Sequence, residues 1–61
     1  MKQFRVDYFV QKHGTEDIRN SIIVNSVEDE YEIVKRGKKQ ITKVEGVLSQ
    51  NISITTISPL D

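Results

Sequence analysis

Residues 25–37, NSVEDEYEIVKRG, form the one segment of this sequence whose pattern predicts an α-helix. Three apolar residues recur with the spacing i, i+4, i+7, which places them on one side of a helix: Val27, Tyr31 and Val34. Ser26, or Asn25 one residue earlier, is a suitable N-cap, and Gly37 can end the helix in the left-handed conformation. A helix this short is marginal alone in water, so we expect it to pack its apolar side on a sheet.

The first half of the chain predicts a β-hairpin. Residues 2–12 alternate between apolar and polar, and the apolar set faces one side: Phe4, Val6, Tyr8 and Val10. Residues 18–24 form a second strand of β-branched character, and the five residues between the strands include Gly14, which can adopt positive φ. The short connection predicts an antiparallel pair.

The second half of the chain predicts another hairpin. Residues 40–49 are interpreted as a third strand with Val44 and Leu48 on one face and with Gly46 at a bulge or a close backbone approach. Residues 49–51 form a turn in which Asn51 is left-handed, and residues 52–57 form the strand with the strongest β propensity. Residues 58–61, which contain the proline, are expected to be a frayed tail.

Together these elements predict one α+β domain over residues 1–61 with the order ββαββ and a four-stranded sheet covered on one face by the helix. The layout resembles the β-grasp arrangement of bacterial immunoglobulin-binding domains in element order and length, which implies a strand order of 2-1-4-3 with the first and last strands parallel in the centre. No sequence motif accompanies this likeness, so it implies no function. The alternative fold is a meander with the helix on one side, completed by a second copy of the chain.

The composition narrows the class of protein. A chain of 61 residues with no cysteine and one histidine has neither a disulfide framework nor the ligands of a structural zinc site. Nine basic and nine acidic residues balance to a net charge of zero, which is unusual for a protein whose whole surface binds nucleic acid or anionic lipid. With no apolar signal segment and no membrane span, a cytoplasmic accessory protein of a bacterium or a phage is expected.

We expect no enzymatic activity. His13 lies in a predicted turn with no partner placed beside it, and the carboxylates of residues 28–32 occupy the helix start, where they oppose the helix dipole. The sequence contains no P-loop, dinucleotide-binding or EF-hand motif. Catalytic residues, a cofactor, a metal ion and a small-molecule substrate are therefore not expected.

The leading functional hypothesis is a protein-interaction or regulatory module that uses the sheet face away from the helix and the edge of the second strand. Phe9 and Ile23 are apolar residues on this otherwise polar face, and Ile57 is expected to lie near Phe9. An edge strand without proline or bulge invites strand addition by a partner or by a second copy, which would form a homodimer. Four residues are expected to form this surface: Arg5, Phe9, Arg19 and Ile23.

The alternative hypothesis is a nucleic-acid-binding accessory protein. Five cations lie within nine residues at the predicted C-terminal end of the helix and just beyond it: Lys35, Arg36, Lys38, Lys39 and Lys43. Phosphate contacts from such a cluster would make affinity strongly dependent on salt. However, cations are also common at a helix C-terminus for electrostatic reasons alone, and no aromatic residue interleaves with them to stack on bases.

Overall fold

The structure, a computed structural model, describes residues 1–12, 14 and 16–60. These residues contain the strands β1 (Lys2–Val10) and β2 (Ile18–Ser26), the helix α1 (Glu30–Glu45), one turn of 3-10 helix (Ser49–Asn51) and the strand β3 (Ile52–Pro59). The predicted turn role of His13 lies outside the described residues. Within the described part of the chain the order is therefore ββαβ in a small single-domain α+β fold, and the predicted third strand, and with it the four-stranded ββαββ order, is wrong.

The sheet has the order β2-β1-β3, and both pairs are antiparallel. At the centre of β1, Val6 lies between Ile22 of β2 and Ile57 of β3. The expected order 2-1-4-3 with a parallel centre is also wrong. β3 is antiparallel to β1 because α1 is long. Its 16 residues span about 24 Å and return the chain to the Val10 end of the sheet, where β3 begins.

The helix α1 extends eight residues beyond its predicted end. Ile33, Gly37 and Ile41 are buried with the spacing i, i+4, i+8, which continues the helical repeat through the glycine. A Cβ at Gly37 would lie 3.6 Å from Val24 and 3.8 Å from Val6, which are ordinary contact distances, so α1 packs closely on the sheet at this residue. The helix ends instead at Gly46, which has a φ of 66° and donates its N–H to the carbonyl of Thr42.

The start of α1 also differs from the prediction. Ser26 is a buried residue of β2 that pairs with Lys2, so it belongs to the sheet and cannot cap the helix; Asp29 holds the N-cap position. Of the three residues expected on the apolar side, Val27 precedes α1 and is 51% exposed, Tyr31 is 71% exposed, and Val34 is partly buried. The residues that pack on the sheet are offset from that side around the helix.

The core lies between α1 and one face of the sheet, in two adjoining clusters. The four even-numbered residues of β1 from Phe4 to Val10 are buried, which confirms the alternation expected from the sequence. One cluster contains Phe4, Val6, Val24 and Ile33, and the other contains Tyr8, Val10, Ile41 and Ile52. The helix therefore contacts the sheet along most of its length.

The C-terminal segment is more regular than expected. β3 includes Ser58 and Pro59, and Leu60 donates its N–H to the carbonyl of Gln3 at 3.0 Å, so a frayed tail does not apply to residues 58–60. The register of β3 against β1 shifts between Asp7 and Tyr8, where Thr55 is the extra residue and donates its hydroxyl to the carbonyl of Asp7. The bulge expected at Gly46 is thus wrong, as is the left-handed Asn51, since no described non-glycine residue has positive φ.

Candidate interaction surfaces

The sheet face away from α1 carries the four residues proposed for protein binding. They form two cross-strand pairs, Phe9 with Arg19 and Arg5 with Ile23, separated by the pair of Asp7 with Ser21. Because neighbouring residues of a strand point to opposite faces, and Phe4, Val6, Tyr8 and Val10 are buried, these pairs lie on the open face. The structure therefore brings the four predicted residues together on one surface.

Two side-chain contacts, a cation–π contact and an ion pair, lie on this open face. The guanidinium of Arg19 lies over the ring of Phe9, 5.5 Å from its centroid, a cation–π geometry worth about 0.5–1 kcal/mol at an exposed site. Arg5 forms an ion pair with Asp7 at 3.4 Å between Nε and Oδ1. Ile23 is not involved in either contact and is 47% exposed beside Arg5, so it presents apolar surface on this face.

Ile57 does not contribute to the open face. It pairs with Val6 and packs against the core beneath α1, because β3 runs antiparallel to β1. The neighbour of Phe9 in β3 is Ser53, a polar residue. The expectation that Ile57 lies near Phe9 is wrong, and the apolar part of the open face is confined to β1 and β2.

The two edge strands, β2 and β3, differ in how many of their outward backbone groups already form hydrogen bonds. On the outer side of β2, the Ser21 N–H donates to the Asn20 side chain at 2.8 Å, and Arg36 Nη1 donates to the Asn25 carbonyl at 3.5 Å. No comparable contact with a described residue lies on the outer side of β3. Sequence reasoning missed this second edge because it placed the last strand in the centre of the sheet.

The basic cluster is divided between two sides of α1. Four of its members line a groove of about 440 Å³ beside Asn25 of β2, while Lys38 lines a different groove beside β3. Of the five, only Lys43 lies in the last turn, so helix-end electrostatics does not account for the others as the sequence suggested. The four that share the first groove, called here the basic face, are Lys35, Arg36, Lys39 and Lys43.

One acidic residue partly neutralises the basic face. Glu32 lines the same groove and forms an i, i+4 ion pair with Arg36 at 3.6 Å between Oε2 and Nε. The basic face therefore presents three lysines without such a partner among the described residues.

A buried polar contact joins the central strand to the end of α1. Tyr8 donates its phenolic hydroxyl to Glu45 Oε2 at 2.8 Å. Burial, the hydrogen bond to Glu45 and the charge of its carboxylate together raise the pKa of Tyr8 to about 12. The contact is well separated from the open face, and we assign it a role in fixing the helix on the sheet.

Other kinds of site have no counterpart among the described residues. No group of three or more histidine, cysteine, aspartate or glutamate side chains there could hold a metal ion. Over the same residues, no helix has both the length and the apolar character needed to cross a bilayer. Comparison with protein-family models, with curated proteins and with solved structures gives no match.

Proposed function

We propose that this chain is a small, non-enzymatic interaction module that binds a protein partner through the open face and the adjoining edge of β2. The observation that carries the proposal is the grouping of Arg5, Phe9, Arg19 and Ile23 in two cross-strand pairs on one face of the sheet. Each pair joins an apolar residue to an arginine, and aromatic residues and arginine are enriched at protein interfaces. The cytoplasm is the compartment in which we propose that it acts, since a cysteine-free chain needs no oxidising environment.

The ring of Phe9 and the side chain of Ile23 would supply the apolar area of this interface. Arg5 and Arg19 would supply charge-assisted hydrogen bonds to carboxylates or carbonyls of the partner. The β2 edge would add backbone hydrogen bonds only after Asn20 released the Ser21 N–H, so side-chain contacts on the open face come first. The partner expected from this chemistry has an apolar patch bordered by acidic residues.

The test compares two double variants as immobilised baits in a lysate of the source organism. Phe9→Ser with Ile23→Ser removes the apolar part of the open face, and Tyr31→Ser with Val44→Ser removes matched side chains that are exposed on α1. We expect a partner to be retained by the unaltered chain and by the helix variant, and to be lost with the open-face variant. Retention of every bound protein by a folded open-face variant would contradict the proposal.

A second candidate function, nucleic-acid binding, is favoured by one observation. Four cations share a single face of α1 although only one of them lies at the helix end. If all four contact phosphates of duplex DNA, the logarithm of the affinity should fall against the logarithm of salt concentration with a slope of about −3.6.

The basic face offers its own matched control. Lys39→Glu with Lys43→Glu should abolish binding to duplex DNA, whereas Lys38→Glu, on the other side of the helix, should change it little. No binding at low salt, or equal effects of the two variants, would remove this candidate.

A further inference from the structure

The outer edge of β3 carries unused hydrogen-bonding groups. Leu60 donates to Gln3 and Gln11 donates to Asn51, so the odd-numbered residues of β1 form the hydrogen-bonded pairs with β3. In an antiparallel ladder the residues between such pairs point their N–H and C=O groups the other way. On β3 these outward groups belong to residues such as Ile54 and Ile57, and no described residue pairs with them.

A groove of about 760 Å³ runs beside this edge, between α1 and β3, and both apolar and polar side chains line it. It exists because α1 lies over β1 and β2, where Gly37 approaches Val24 and Val6. Val24 of β2 is consequently fully buried, whereas Ile54 and Ile57 of β3 are only partly covered. The groove floor is thus the part of the core that one chain leaves incompletely covered.

Four charged residues of α1 and the segment before it line the groove: Glu28, Asp29, Glu30 and Lys38. Glu28 forms an ion pair with Lys2, and Asp29 holds the N-cap position. Glu30 and Lys38 lie four residues before and four residues after Val34, and all three line the groove. Neither charge forms an ion pair with another described residue. If two copies of α1 run antiparallel on either side of a two-fold axis near Val34, Glu30 of each copy faces Lys38 of the partner subunit.

We propose that the partner for this groove and edge is a second copy of the chain, bound through antiparallel pairing of the two β3 strands. The pairing joins two three-stranded sheets into one of six strands, with both α1 helices on the same face and both grooves merged beneath them. The bulge at Thr55 interrupts the edge and Pro59 has no N–H, so the paired stretch is short and the dimer depends on concentration. This surface is separate from the open face and does not depend on its role.

The charge arrangement provides a sharp test by light scattering over a concentration series. The unaltered chain should approach twice its 7.0 kDa mass, about 14 kDa. Lys38→Glu and Glu30→Lys should each weaken dimerisation by about tenfold, because each places two like-charged pairs across the axis. An equimolar mixture of the two variants should restore the dimer, since its cross pairs are again opposite in charge, and so should one chain carrying both changes.

Controls separate this dimer from other assemblies. Lys39→Glu makes the same charge change on the basic face, and Phe9→Ser with Ile23→Ser alters the open face; both should leave dimerisation unchanged. Circular dichroism verifies the fold of every variant. If Lys38→Glu or Glu30→Lys unfolds, the glutamine variant at the same position, Lys38→Gln or Glu30→Gln, is used in its place. A monomer at all concentrations up to about 1 mM, or a dimer indifferent to Lys38→Glu, would overturn the proposal.

Discussion

Tyr8, in the middle of the central strand, and Glu45, the last residue of α1, are joined by a hydrogen bond of 2.8 Å across 37 positions of sequence. The tyrosine ring is buried in the core while its hydroxyl reaches the partly exposed carboxylate at the core's edge. The contact satisfies a buried donor and fixes the C-terminal end of the helix over β1.

The Tyr8–Glu45 contact predicts the effect of removing a single hydroxyl. Tyr8→Phe should keep the packing of the ring and lower the free energy of unfolding by about 0.5–1.5 kcal/mol at neutral pH. The matched control is Tyr31→Phe, an exposed tyrosine with no such contact, which should leave stability unchanged. Urea denaturation measures both; an equal effect of the two variants would show that the hydrogen bond is not formed in solution.

The raised pKa of Tyr8 predicts a loss of stability at high pH. Below about pH 10 both the folded and the unfolded chain keep the phenolic proton, so this group makes no pH-dependent contribution. Between about pH 10 and 12 only the unfolded chain loses the proton, and the free energy of unfolding should fall by up to about 1.4 kcal/mol per pH unit. Tyr8→Phe should remove this part of the decline, as urea denaturation at pH 9 and 11 would reveal.

Two glycines of the helix region should respond oppositely to alanine. Gly37→Ala should stabilise the fold by about 0.5–1 kcal/mol, because alanine favours the helix and its Cβ would meet its neighbours at ordinary contact distances. Gly46→Ala should destabilise it by about 1 kcal/mol, because its φ of 66° disfavours a side chain. Destabilisation by Gly37→Ala in urea denaturation would instead agree with a helix that ends at residue 37.

The helical conformation of residues 40–45 predicts which aliphatic residue is essential. Ile41→Ala should cost about 2–5 kcal/mol because the side chain is fully buried, a large share of the stability of so small a domain. Val44→Ala should change stability by less than about 0.5 kcal/mol because Val44 is 68% exposed. Thermal unfolding compares the variants, and Ile41→Val is the milder replacement if Ile41→Ala does not fold. A larger loss of stability from Val44→Ala than from Ile41→Ala would support the predicted third strand instead.

The N-terminal hairpin was predictable from the sequence because its signals are local. The alternation of Phe4, Val6, Tyr8 and Val10 is confirmed by their burial, and Gly14 has the expected positive φ of 76°. The placement of Arg5, Phe9, Arg19 and Ile23 on one face follows from the same period of two. Their part in binding stays a prediction.

The C-terminal half was not predictable from the same local signals. Gly37 was interpreted as a helix end, whereas it lies inside α1, where the helix packs closely on Val24 and Val6. That packing is a tertiary property that no pattern of nearby residues contains. The error then propagated, since residues 40–45 became a strand, β3 became central, and its open edge and groove were missed.

Photo-crosslinking from three single positions is the most direct test of the central claim that the open face binds a partner protein. Benzoylphenylalanine would replace Ile23 on the open face, Thr55 on the β3 edge or Lys39 on the basic face, in cells of the source organism. We predict adducts with another protein from position 23 and adducts of twice the chain mass from position 55. Adducts with another protein that form only from position 39 would contradict the account.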